Sequence, residues 1–296
     1  MSAHAESDIP IAAPVAGASG SSNRRWRLPR VPRKTRRALI TYAVTLALWE
    51  LGATSARWAG HPWPWLSNVP PPTVVLSTAV RLITDAGYWH SWGMSLIRVL
   101  AGFSAATLVG VPFGLLLALS PGFRATVFPV FELLRPIPPL AWVPAAIIFW
   151  PTQELSIAFV IFLGAFYTLV INVLGGAEAI DPRFVQAARS MGASRLNVFR
   201  RIVLPGLLPS VLVGMEVGIG VTWEVVVAAE MISGGGAGDS AASGGGLGFF
   251  IWSSYVGGSY GQIVVGMISI GIAGYLSSAA LRLAARHFTP WLTLRS

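Results

Sequence analysis

The chain has 296 residues, of which 54% are hydrophobic and only 11% charged, and its mean hydropathy is +0.64. That is too apolar for a soluble domain of ordinary surface, so composition points to a polytopic membrane protein. The net charge of +9 does not indicate nucleic acid, because eight of the 21 basic residues lie between Arg24 and Arg37 and the rest gather mostly in short loops. Such a distribution orients a protein in a bilayer. Cysteine is absent, which excludes disulfides and thiolate metal sites and leaves the redox compartment unread.

Residues 1–37 open on an Ala/Ser/Gly/Pro-rich stretch and end in RRWRLPRVPRKTRR. They bury little apolar surface and are expected to be a disordered basic cytoplasmic tail ahead of a membrane domain, 38–296. A basic stretch before an apolar run is also how a signal peptide begins. The run from Ala38 to about Ala56 is long for that and lacks a small-x-small cleavage site, so it reads as a retained first span with its N-terminal side in the cytoplasm. Trp58, Trp63 and Trp65 follow among prolines, as at a membrane interface, and then an amphipathic piece, 73–84, on the outer face.

A second span runs from Ser91 or Ser95 to Leu119 and carries Gly110-x-x-x-Gly114, a spacing that lets two helices approach closely. The third, Val127 to Trp150, holds Pro136, Pro138, Pro139 and Pro144, whose freed carbonyls must face protein or a cavity. Glu132 and Arg135, three apart, are expected to pair. The fourth span covers Leu155 to Leu174, the fifth Leu207 to Met231, and the sixth Gly261 to Leu283, with the flexible SGGGAGDSAASGGG between the last two. The predicted fold class is therefore all-α, with about six transmembrane helices. With both termini inside, eighteen basic residues fall on the cytoplasmic side and Arg57, Arg81 and Arg98 toward the other.

Between spans four and five lies a basic, amphipathic island, DPRFVQAARSMGASRLNVFRRIVLPGLLP, residues 181–209. Asp181-Pro182 reads as an N-cap followed by proline at the first helical position, and Gly192 as a helix stop. A second amphipathic piece then runs to Pro205. The predicted shape is helix, glycine turn, helix, lying across a membrane surface.

These residues resemble the permease subunits of ABC importers, whose cytoplasmic signature is Glu-Ala-Ala, three residues, Gly, nine residues, Ile-x-Leu-Pro. Gln186-Ala187-Ala188 stands three residues before Gly192, and nine separate Gly192 from Ile202-Val203-Leu204-Pro205. Gln186 replaces the usual Glu and keeps its length and hydrogen-bonding ability but not its charge. PPPTVVLSTAVRLI and RPIPPLAWVPAAIIFW resemble segments of the nitrate, sulfonate and taurine permeases. The resemblance implies a coupling loop, about 181–205, whose short helix seats in the ATP-hydrolysing subunit through Gln186, Ala187, Ala188, Met191, Gly192, Ala193, Leu204 and Pro205. It also implies the bacterial inner membrane, two ATPase subunits, a second permease copy in a homodimer, and an external binding protein that delivers a small anion. AAEMISGG and GLGFFIW lean toward the nitrate, nitrite and bicarbonate members rather than the sulfonate and taurine ones.

The chain's own chemistry is sparse. Its single lysine, Lys34, is preceded by Arg33, so no phosphate loop of the form G-x-x-x-x-G-K-[ST] exists, and ATP must be bound by another polypeptide. Four scattered histidines offer no metal site, no cofactor is expected, and no nucleophile elbow is present. Acids inside hydrocarbon are costly and usually face a cavity or a partner. On the fifth span Glu216, Gly220 and Glu224 recur at four-residue steps, with Trp223 beside them and Glu230 near the outer end. These five are candidates for the translocation path, and structural bonding of each acid is the alternative. A secondary transporter or channel working without ATP is the alternative for the whole chain; it would want an inverted repeat, and none is found.

Overall fold

The computed structural model describes residues 33–58, 68–234 and 245–288. Residues 1–32 of the expected tail 1–37, the tryptophan-rich residues 59–67, the glycine-rich loop 235–244 and the end of the chain from 289 onward lie outside the described residues; residues 33–37, expected to be disordered, are instead the first turn of a helix. The chain divides after Ala47 into two units; the described part of the first is the start of helix α1 (Arg33–Trp58). The second unit holds the end of α1 and then α2 (Pro72–Ile83), α3 (Ala86–Leu119), α4 (Pro121–Leu134), a 3-10 turn (Pro139–Trp142), α5 (Val143–Phe149) and α6 (Gln153–Glu178). After these come α7 (Pro182–Ser190), α8 (Arg195–Val198), a wide π turn (Phe199–Val203), α9 (Leu204–Gly234), α10 (Leu247–Val256) and α11 (Tyr260–Phe288). Every regular element among the described residues is helical, as expected of the all-α class.

Among the described residues, five helices are long and apolar enough to cross a bilayer, and a bent pair makes up to six. The bend corrects the third predicted span. Instead of one rod from Val127 to Trp150, α4 and the segment Pro139–Phe149 meet at 88°. Pro136 and Pro138 lie in the break, and Pro139 and Pro144 sit where a helix tolerates proline, at the first turns of the 3-10 turn and α5. Glu132 and Arg135 are both exposed and, among the described residues, form no ion pair. The helix ends there, and an exposed pair gains too little to hold two long side chains together. The second span starts earlier than expected, at Ala86, because the Asp85 carboxylate caps it by accepting from the Gly87 N–H at 2.9 Å. Glu50 near the end of α1 caps α2 from outside, accepting from the N–H and hydroxyl of Thr73 at 3.1 and 3.0 Å.

Helix α6 is the centre of the second unit, with α3 on one side and α9 on another. Successive contacts give the directions. Gly102 lies on Ile161, Gly110 on Leu169 and Gly114 on Val173, so α3 and α6 run parallel. Gly164 lies on Val225, Asn172 on Gly214 and Gly176 on Ser210, so α6 and α9 run antiparallel. Trp223 touches Gly274 and Glu216 pairs with Arg282, so α11 is antiparallel to α9. Parallel α3 and α6 require α4 and α5 to carry the chain back between them, and the bent pair therefore does the work of one crossing.

In lipid, helices gain nothing from excluding water from one another, so small residues that bring backbones together matter more than in a soluble core. A Cβ on Gly114 would sit 2.8 Å from the Val173 side chain, and one on Gly176 would sit 2.4 Å from that of Ser210. Gly175, the adjacent residue, meets nothing within 4 Å. We expect Gly176→Ala to destabilise by about 1–3 kcal/mol through overpacking. Gly175→Ala should be neutral or gain up to about 1 kcal/mol from helix propensity. Thermal unfolding of the two variants in one detergent measures the contrast, and equal effects would refute the close α6–α9 contact.

Candidate functional site

The coupling stretch folds as its local sequence dictates. Asp181 accepts from the Arg183 N–H at 2.9 Å with Pro182 at the first helical position of α7. At the other end Gly192 has φ +82°, a left-handed conformation that side chains rarely adopt. The Gly192 N–H donates to the Arg189 carbonyl at 2.9 Å and the Ala193 N–H to the Ala188 carbonyl at 3.0 Å. Those two bonds are the Schellman closure, which satisfies the last carbonyls of α7 and reverses the chain. Ser194 then caps α8, accepting from Asn197 N–H at 3.3 Å.

One face of α7 packs and the other is bare. Ala188 is buried against a small cluster with Val173, Val198, Val203 and Leu207. Gln186, Ala187, Met191, Gly192 and Leu204 are exposed, Ala193 and Pro205 half-buried, and Met191 is 82% exposed. Phe184 and Leu196 add apolar surface beside them. Behind α7, between it and α8, lies a cleft of about 840 Å³ lined by Leu119, Val185, Gln186, Arg189, Leu196 and Phe199 among others. Half-buried Arg124 and exposed Glu178 pair across the same end, tying α4 to α6.

The second amphipathic piece does not stop before the next span. From Arg195 to Ile232 the chain is one apolar helical run through the π turn. Pro205 supplies the reason, since its ring excludes the carbonyl four residues back and the turn widens to accommodate it. Helix α8 is thus joined to α9 without an intervening loop.

Along α9 the five candidate path residues part company. Gly220 and Glu224 are exposed one turn apart, in line with exposed Val213 and Val217. Glu216 turns instead to α11, where it pairs with Arg282. Trp223 is 2% exposed and its Nε1–H donates to Ser277 Oγ at 3.1 Å, which places it inside the α9–α11 contact. Glu230 is 2% exposed and lies within a polar cluster at the end of the bundle away from α7.

That cluster was not legible beforehand. Glu230 accepts from Arg98 Nη1 at 2.9 Å, from Ser95 Oγ at 2.8 Å, and from the Gly248 N–H at 2.8 Å. Ser95 Oγ accepts in turn from the Leu247 N–H at 2.8 Å. On its other side Arg98 donates to Glu154 through Nε at 2.8 Å and through Nη2. The start of α10 has no cap of its own, so a carboxylate from α9 and a hydroxyl from α3 satisfy its free amides. Close approach explains the glycines of GLGFF. A Cβ on Gly246 would fall 2.0 Å from the Glu230 carboxylate, and one on Gly248 2.2 Å from the Val227 carbonyl. Sequence offered one signal: Arg98 is an arginine inside an apolar span, where a charge calls for a partner.

Because Gly192 has open space around it, substitution there strains only the backbone. Gly192→Val should cost about 1–2 kcal/mol locally and Gly192→Asn clearly less. Limited proteolysis between residues 189 and 196 reads the difference, with faster cleavage expected in the valine variant.

Comparison with known proteins gives one answer throughout. Residues 110–294 match the family described as binding-protein-dependent transport system inner membrane component. The chain is 33% identical to the taurine transport system permease protein TauC of Escherichia coli, over 90% of this chain and 93% of that one. It is 34% identical to the nitrate import permease protein NrtB of Synechocystis, over 82% and 85%. It is also 34% identical to the bicarbonate transport system permease protein CmpB of Synechococcus elongatus, over 65% and 66%. A solved inward-facing structure of the MetNI methionine ABC transporter matches at a TM-score of 0.53 and 22% identity, covering 66% of this chain and 92% of that one, and so shares the fold. With the coupling stretch, the helix order and these matches in agreement, the chain belongs to the binding-protein-dependent transport system inner membrane components, the permease subunits of ABC importers.

Proposed function

We propose that this permease carries a small anion of the nitrate, bicarbonate or sulfonate kind inward across the inner membrane, driven by ATP that a separate subunit hydrolyses. The observation that carries the reading is the bare face of α7 and its glycine turn, joined without a break to α9. Two ATPase subunits would each seat one such face, and two permease copies would set their exposed α9 stripes, with Gly220 and Glu224, about a shared route. An external binding protein would deliver the solute, and both termini would lie in the cytoplasm. Alternating access follows if ATP-driven closure draws the two coupling helices together and spreads the far ends of the spans.

The solute class rests on relatives whose names specify taurine, nitrate and bicarbonate at 33% or 34% identity, values that favour none of the three. Glu224 is the exposed acid on the proposed route and, among the described residues, has no ion-pair partner. Its charge would repel an anion at close range, so Glu224→Gln is expected to raise apparent affinity for the transported anion if the stripe lines the route. Wild-type uptake in that variant would take the stripe out of the route.

Affinity purification from the native membrane tests the reading as a whole. An ATPase should copurify, and it should be lost when residues 186–192 are scrambled. A chain that purified alone and moved nitrate, bicarbonate or taurine in liposomes without ATP would replace this reading with ATP-independent transport.

A further inference from the structure

At the end of the second unit away from α7, one guanidinium serves two carboxylates of unequal character. Arg98 is 4% exposed and Glu230 2%, so this arm is shielded from water on both sides. The Glu154 side chain is 54% exposed, so the second arm is open to water on its carboxylate side. The arms also differ in what they hold. Glu230 gathers α3, through Arg98 and Ser95, and the first amides of α10, through Gly248 directly and Leu247 by way of Ser95. Glu154 sits in the first turn of α6 and, among the described residues, its carboxylate is bonded to Arg98 alone in that cluster.

A buried charged pair with every acceptor site filled is hard to open, because separation leaves a charge without water or partner. The half-exposed Glu154 carboxylate is rehydrated when it leaves, and Arg98 keeps Glu230 as its counter-ion, so this arm opens at lower cost than the buried one. The glycines reinforce the first arm: Gly246 and Gly248 admit Glu230 to distances at which any Cβ would collide.

We propose that Arg98 is a positioning residue that divides this end of the permease into a fixed part and a moving part. Through Glu230 it holds α3, α9 and the start of α10 as one body, and its contact with Glu154 is the latch that parts when the outer end of α6 moves away during transport. The proposal rests on the ATP-driven import reading for the direction of that movement, with this end outward. The division itself rests on the burial and bonding of the two arms.

Hydrogen exchange on the full chain in lipid nanodiscs tests the division. Glu154→Gln should speed exchange of the amides of residues 155–158 by about tenfold or more and leave those of Leu247 and Gly248 within about twofold of wild type. Glu230→Gln should speed exchange at Leu247 and Gly248. Should that variant not fold, the Glu154→Gln contrast decides alone. Equal acceleration at both places in Glu154→Gln, or acceleration at neither, would overturn the proposal. In the complex with its copurifying ATPase, a weaker latch should favour the outward-open state and raise ATP hydrolysis severalfold in the absence of binding protein, with Glu154→Asp restoring the wild-type rate. An unchanged rate would remove the latch from the transport cycle. If no ATPase copurifies, the import reading falls, and the exchange contrast still decides whether the network is divided.

Discussion

Close backbone contact on both sides of α6 is the constraint on which the rest of the second unit depends. The hydrophobic effect that packs a soluble core does not distinguish one helix from lipid, so attraction between spans has to come from surfaces that fit. Gly102, Gly110 and Gly114 of α3 lie under α6, and Gly176 of α6 and Gly214 of α9 do the same at the other contact. Fixing those two contacts fixes three helix directions. The directions then dictate that the chain between α3 and α6 must return, and hence that the proline-broken α4–α5 segment is a crossing rather than a surface excursion.

The same scaffold sets what the coupling stretch can do. Helix α7 is held by few buried side chains, with Ala188 seated on Val173 of α6 and on Val198, Val203 and Leu207 downstream. Its remaining surface is free for a partner. Helix α7 thus packs on α6 through Ala188, and the chain after it enters α9 through the continuous run from Arg195.

How much of this was legible follows from how local each interaction is. Asp181, Pro182 and Gly192 act within one or two turns of themselves, and sequence alone placed the cap, the first turn and the reversal correctly. The apolar runs were equally plain, because hydropathy averages over a whole span. The proline-rich third span read as continuous because hydropathy is blind to direction, while the 88° bend belongs to the backbone. Glu216 and Glu224 looked like neighbours on one face, but the eight-residue step from one to the other rotates one toward Arg282 and leaves the other exposed. Arg98 was invisible as a bridge, since its partners lie 56 and 132 residues further along. No local pattern encodes such pairings.

Helix α10 carries a consequence for how the protein is made. Gly246 has no side chain with which to cap the helix, and the first amides of α10 are met by Ser95 and Glu230 from helices synthesised earlier. Inside a bilayer those amides have no water to bond instead. The first turn of α10 can therefore close only once α3 and α9 already lie side by side. The first turn of α10 is therefore a read-out of assembly: its amides are satisfied only where α3 and α9 are correctly paired.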